Sequence, residues 1–346
     1  MKRLTLILAG LMVAGAASVV VAGDFHTGLS LVCSDCHVAH YSQSHGYAPG
    51  NNNFVPLGTG GPFTDLLRDE EVKMCLSCHD NQSWAPDVVG ANGGTSRLRL
   101  AGGLNYASGH GTNDAGYEEI DGHSLHSTAM PPGAGATAYV PGSEGLVCTN
   151  CHAQHGSATQ YRNLLNRGIF SGKSVTYAIS TNDLTKDVYE RSAASYAEAD
   201  VDYNEPDVRA SAYANWCKSC HADFHGQGGD VNMGGQMGGV TSSNTNPWKR
   251  HPTADVNIGT VGATHISNLA RYAGVTNKVK VMDSQGLWTG VGTDNTVTPS
   301  CMSCHKSHGN KNAFGLIFMN GTGTRTEEGD GGIYKDLCRQ CHSQGA

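Results

Sequence analysis

Twelve cysteines in this 346-residue chain fall in six copies of one pattern, C-x-x-C-H, and nothing else in the sequence constrains the fold as strongly. The copies are Cys33-Ser-Asp-Cys36-His37, Cys75-Leu-Ser-Cys78-His79, Cys148-Thr-Asn-Cys151-His152, Cys217-Lys-Ser-Cys220-His221, Cys301-Met-Ser-Cys304-His305 and Cys338-Arg-Gln-Cys341-His342. C-x-x-C-H is the attachment sequence of c-type haem. Two thiols at this spacing reach the two vinyl groups on one edge of a porphyrin, and the next residue, histidine, then binds the iron from the proximal side. Six disulfides or structural zinc held by paired C-x-x-C units would use the same cysteines. Neither requires a histidine after every second cysteine. The expected cofactor is therefore six haem c, each with one iron.

Residues 1–22 read as an export signal, with Lys2 and Arg3 ahead of an apolar run and small residues before Ala22. The expected product is an exported chain with no membrane span in its mature part. The formal net charge is −7 and no basic run follows the leader, which disfavours a nucleic-acid partner.

Six of the 17 histidines are proximal ligands by this reading, which leaves eleven for at most six distal places. Enough are spare to close every iron with a second imidazole. Such an iron has no open position for a substrate and can only change oxidation state, so the chain reads as an electron carrier and not an enzyme. His40, His155 and His308 each lie three residues after a proximal histidine. A neighbour that close cannot swing to the opposite face of the same ring, so each must serve another haem if it serves any. His251 precedes Pro252, which restricts the backbone there. His123 follows Asp121-Gly122, and His26 lies close to the first motif. His45, His110, His126 and His265 read as solvated.

The motifs pair as 33/75, 148/217 and 301/338, and the first member of each pair carries C-x-x-C-H-x-x-H. One domain over 23–346 is expected, in three doubled units over about 23–120, 121–250 and 251–346. The 46 glycines and the stretches 90–116, 131–145 and 226–247 argue for turns and coil. A helix over 183–199, short helices at several motifs and a strand over 275–281 are the regular elements expected. The fold class is thus a multihaem cytochrome c. It is mostly coil with short helices and minimal strand, organised around a chain of six haems that replaces an aliphatic core.

The order of the motifs and their flanking histidines resembles that of the extracellular multihaem cytochrome filaments, the cytochrome nanowires. The resemblance runs from Phe25-His26 through Cys33 to His40, Gly122-His123, and Cys148 to His155-Gly156 with Tyr161-Arg162 behind. It continues through Trp216-Cys217 to His225, Arg250-His251-Pro252, Cys301 to His308, and Cys338 to His342. It implies bis-histidine haems in a continuous chain and head-to-tail self-association, with His40 binding the iron above Cys301 and Cys304 of a neighbouring subunit. Seven distal candidates (His26, His40, His123, His155, His225, His251, His308) then match six places, with His225 and His26 the weakest. The implied function is haem-to-haem electron conduction in an extracellular filament that passes electrons to other redox proteins or extracellular acceptors at the outer cell surface. A monomeric periplasmic shuttle and a nitrite- or hydroxylamine-type reductase are the alternatives.

Overall fold

The computed structural model describes residues 26, 31, 33–38, 57–82, 85–89, 101–113, 116–132, 141–155, 161–165, 189, 212–217, 219–221, 279, 281, 300–321, 327, 329 and 331–340. The leader, His40, His225, His251, Cys341, His342 and all of the expected 183–199 helix except Tyr189 lie outside them. Of the expected 275–281 strand only Val279 and Val281 are described. Both are buried and neither belongs to a strand.

Four short α-helices run through the described residues: α1 (Cys33–Cys36), α2 (Glu71–His79), α3 (Ala212–Cys217) and α4 (Tyr334–Cys338). Each holds or ends on a cysteine of a motif. The third and fifth motifs instead open with tight 3-10 turns, Cys148–Asn150 and Cys301–Ser303. There the residue before the second cysteine supplies the cap. Asn150 Oδ1 accepts from the Val147 amide (2.8 Å), and Ser303 Oγ accepts from the Ser300 amide (2.8 Å). These side chains satisfy amides that so short a turn leaves without a partner. Among the described residues no helix is long and apolar enough to cross a membrane.

Helix α2 shows how the sequence builds these elements. Glu71 stands in its first turn, where a carboxylate suits the helix dipole. Val72 and Met74 are buried, and Leu76 packs beside Val72. Val72, Val89, Leu104, Leu125 and Val147 form a compact apolar cluster, with Val88, Tyr106 and Cys148 against it. An aliphatic core of this kind was not expected from the composition. It forms because separate loops each contribute one or two branched residues.

The stretch 90–116, expected to be turn or coil, contains a two-residue strand. β1 (Asn105–Tyr106) pairs in parallel with β2 (Ser124–Leu125), in the register Asn105 to Ser124 and Tyr106 to Leu125. Beside this pair three backbone segments cross at glycine. Gly309 bridges both Gly102 and Gly122. The His123 amide donates to the His308 carbonyl (2.8 Å), and the Gly103 amide donates to the Gly309 carbonyl (2.9 Å). A Cβ on Gly122 would collide with the His308 carbonyl oxygen, so the segments approach this closely only because the side chain is absent.

Candidate metal centres

Each described first-member motif sits in the same local structure. In the first, His37 forms an antiparallel bridge with Leu67; in the third, His152 bridges Leu164; in the fifth, His305 bridges Leu316. Ahead of each leucine lies a 3-10 turn: Thr64–Leu66, Tyr161–Asn163 and Ala313–Gly315. Asp65 (φ 56), Arg162 (φ 50) and Phe314 (φ 60) take the left-handed conformation in these turns, which costs a non-glycine residue about 1–2 kcal/mol. The bent backbone aims a carbonyl at the imidazole. His37 Nδ1 donates to the Asp65 carbonyl (2.9 Å), His152 Nδ1 to that of Arg162 (3.0 Å), and His305 Nδ1 to that of Phe314 (2.8 Å). Asn310 and Asn312 brace the third copy: their Nδ2 groups donate to the Leu316 carbonyl at 3.0 and 2.8 Å.

The other described proximal histidines find the same kind of partner. His79 Nδ1 donates to the Pro86 carbonyl (3.0 Å) and His221 Nδ1 to the Pro132 carbonyl (2.7 Å). A carbonyl can only accept, so the proton is fixed on Nδ1 and the Nε2 lone pair is left free for a metal.

Four of these five rings face second histidines. Centroids lie 6.3 Å apart for His37 and His155, 5.8 Å for His79 and His26, 6.2 Å for His152 and His308, and 6.0 Å for His221 and His123. A metal–imidazole bond of about 2.0–2.1 Å places the centroids of two rings on opposite sides of one metal about 6.0–6.5 Å apart. Three of the four separations fall in that range, and the His79–His26 separation lies just below it. His155 and His308 do not face the motifs they follow, but those of His37 and His152. His26, one of the two weakest candidates by sequence, faces His79. Its Nδ1 donates to the Gln154 carbonyl (3.1 Å), and His123 Nδ1 donates to the Ser307 carbonyl (2.7 Å). Each of two C-x-x-C-H-x-x-H loops thus presents one histidine to one centre and orients a second histidine for another. Among the described residues no ring faces His305.

Burial holds the imidazoles of His79, His123, His152, His221 and His305 below the ordinary histidine range. His308 is pushed down to about 3 by burial and then by its neighbours His152 and His123. All are neutral at pH 7, as a metal ligand must be. The thiols shift the other way. Burial raises Cys36 and Cys220, and it pushes Cys78 and Cys151 up to about 12. Eleven cysteines are described and all are free of disulfides. Among the described residues no three Cys, His, Asp or Glu side chains converge as a metal cage. Free cysteine pairs, each beside a proximal histidine whose ring faces a second imidazole at four of the motifs, fit c-type haem.

Sequence reasoning missed the carbonyls of Asp65, Arg162 and Phe314. The residue types share nothing, because the main chain does the work. The one shared signal is the leucine that follows each turn, at a distance from the proximal histidine that differs from copy to copy.

No protein-family model matches this chain, and no curated protein matches it. Two solved structures are similar to it. One is of the OmcS nanowires from Geobacter sulfurreducens, at 18% identity and a TM-score of 0.40, covering 91% of this chain and 94% of that one. The other is of the outer membrane cytochrome S filament from Geobacter sulfurreducens, at 17% identity and a TM-score of 0.40, covering 87% of this chain and 89% of that one.

Proposed function

We propose that this chain is an exported hexahaem c-type cytochrome that carries electrons and does no substrate chemistry. The observation that carries the reading is the set of four facing histidine pairs, each with one member inside a C-x-x-C-H motif. Haem c bound there supplies reversible one-electron chemistry at each iron. The chain's own residues do the rest. The cysteines tether, the Nδ1–carbonyl bonds set ring orientation and raise ligand basicity, and the second imidazole excludes any other ligand. Electron paramagnetic resonance of the oxidised protein should show only low-spin iron, with six haems per chain by mass. A high-spin, five-coordinate signal in the wild-type protein would defeat the reading and favour a reductase.

The step from loop to centre also supports assembly. His155 follows the third motif and faces the first; His308 follows the fifth and faces the third. The same step takes His40, which follows the first motif, to the fifth motif, where no ring among the described residues faces His305. Within one chain that step would close a ring. Between copies it is a heterologous contact that repeats without closing, which gives an open filament. His40→Ala should therefore leave a folded monomer with one high-spin haem and no filaments by electron microscopy. Filaments that persist in this variant would sink the assembly, and a wild-type protein that stays monomeric with six low-spin haems would be a shuttle.

A further inference from the structure

The loop of the fifth motif reaches three centres. His305 is that motif's own proximal histidine. The Ser307 carbonyl accepts from His123 Nδ1 (2.7 Å), and the His123 ring faces His221 of the fourth motif. His308 faces His152 of the third motif. Any movement of residues 305–308 is therefore felt at the third, fourth and fifth motifs together.

Main-chain bonds hold this loop at two points. The Lys306 amide donates to the Gly315 carbonyl (2.8 Å), and the His308 amide donates to the Ala101 carbonyl (2.8 Å). A side chain from 116 residues earlier grips the stretch around them. Tyr189 is buried, and its hydroxyl donates to the His305 carbonyl (2.7 Å). That bond uses its single proton, so the Ser307 hydroxyl donates to the Tyr189 oxygen (2.9 Å). Burial pushes the phenol well above its ordinary range, so it keeps that proton. Packing alone does not ask for a hydroxyl here. The ring makes the contact with the Lys306 ammonium, 4.6 Å from its centroid, and a phenylalanine ring would serve as well. The hydroxyl goes to the two loop residues that flank Lys306.

We propose that Tyr189 is a positioning residue for three haem centres: it fixes the main chain from His305 to Ser307, so that His305, His123 and His308 keep their ring orientations. The inference rests on the proposed function, in which those rings are iron ligands. Hydrogen bonds one shell out from a ligand orient it and tune the metal it binds.

The test is electron paramagnetic resonance of the oxidised, haem-loaded full chain. His308→Ala and His123→Ala each remove one second imidazole, so the low-spin signal that each loses identifies the third and the fourth centre. His26→Ala identifies the second centre in the same way. Tyr189→Phe keeps the ring and lacks the hydroxyl. It should retain six low-spin haems and shift the g-values of three, the third- and fourth-centre signals among them, while the second-centre signal stays in place. Ser307→Ala, which spares the Ser307 carbonyl, should shift the same signals by less. A tyrosine that only stabilised the fold would lower the melting temperature and disturb all the signals or none. Unchanged third- and fourth-centre signals in Tyr189→Phe, or an equal shift of the second-centre signal, would overturn the proposal. If Tyr189→Phe takes up no haem, Ser307→Ala decides by the same two criteria. A wild-type protein without low-spin iron would defeat the functional reading and this inference with it, whereas unmoved signals beside a low-spin wild type defeat the clamp alone.

Discussion

Gly309→Ala is expected to destabilise the protein by about 2–6 kcal/mol, summing backbone strain and overpacking, and, on the proposed function, to loosen two of the imidazoles that would hold iron. Gly309 has φ +136, and a Cβ there would stand 2.8 Å from the Asp121 carbonyl oxygen, 2.9 Å from the Gly122 Cα and 3.0 Å from the Gly103 oxygen. All three neighbours are backbone and cannot rotate away. The crossing also positions ligands. The His308 amide donates to the Ala101 carbonyl (2.8 Å), and the His308 carbonyl accepts from His123. Pushing these segments apart would move His308 from His152 and His123 from His221. The variant should melt earlier and show high-spin iron at up to two centres. A wild-type melting curve with fully low-spin iron would refute this account of the crossing.

Lys306→Met is expected to cost about 3–5 kcal/mol, the usual penalty for stranding one partner of a buried ion pair. Lys306 Nζ lies 3.0 Å from Glu327 Oε2, with the side chains 1% and 4% exposed. The ammonium also sits 4.6 Å above the Tyr189 ring. The Tyr189 hydroxyl donates to the His305 carbonyl (2.7 Å), and burial pushes that hydroxyl well above the ordinary tyrosine range. Without the lysine, Glu327 loses its buried countercharge. The double variant Lys306→Met, Glu327→Leu should recover most of the loss, because it removes both desolvation penalties together. Denaturant unfolding of the two variants and the wild type measures this. If the double variant is no more stable than the single, the cost lies in packing and not in charge.

The cysteine motifs and the scarcity of regular structure among the described residues were legible in the sequence. So was the rule that a histidine three residues past a motif must look elsewhere for an iron. Each follows from short-range geometry: a thiol, another three positions on, and an imidazole after it meet one porphyrin edge whatever the remaining chain does. Which iron each distant histidine faces was not legible. His26 is held by a carbonyl 128 residues away, and His123 by one 184 residues away. No spacing rule spans such a distance.

The histidine pairs make the same division. By sequence, His110 and His126 looked like solvated side chains and His26 like a weak candidate. Only the parallel register of β1 and β2 brings the first two within 4.8 Å, and only the loop at Gln154 sets His26 against His79. The sequence by itself determined where a haem could be tethered, because a C-x-x-C-H motif is a local pattern of adjacent residues. The tertiary structure decided which imidazoles meet, because that depends on main-chain hydrogen bonds and glycine crossings between segments far apart in the chain.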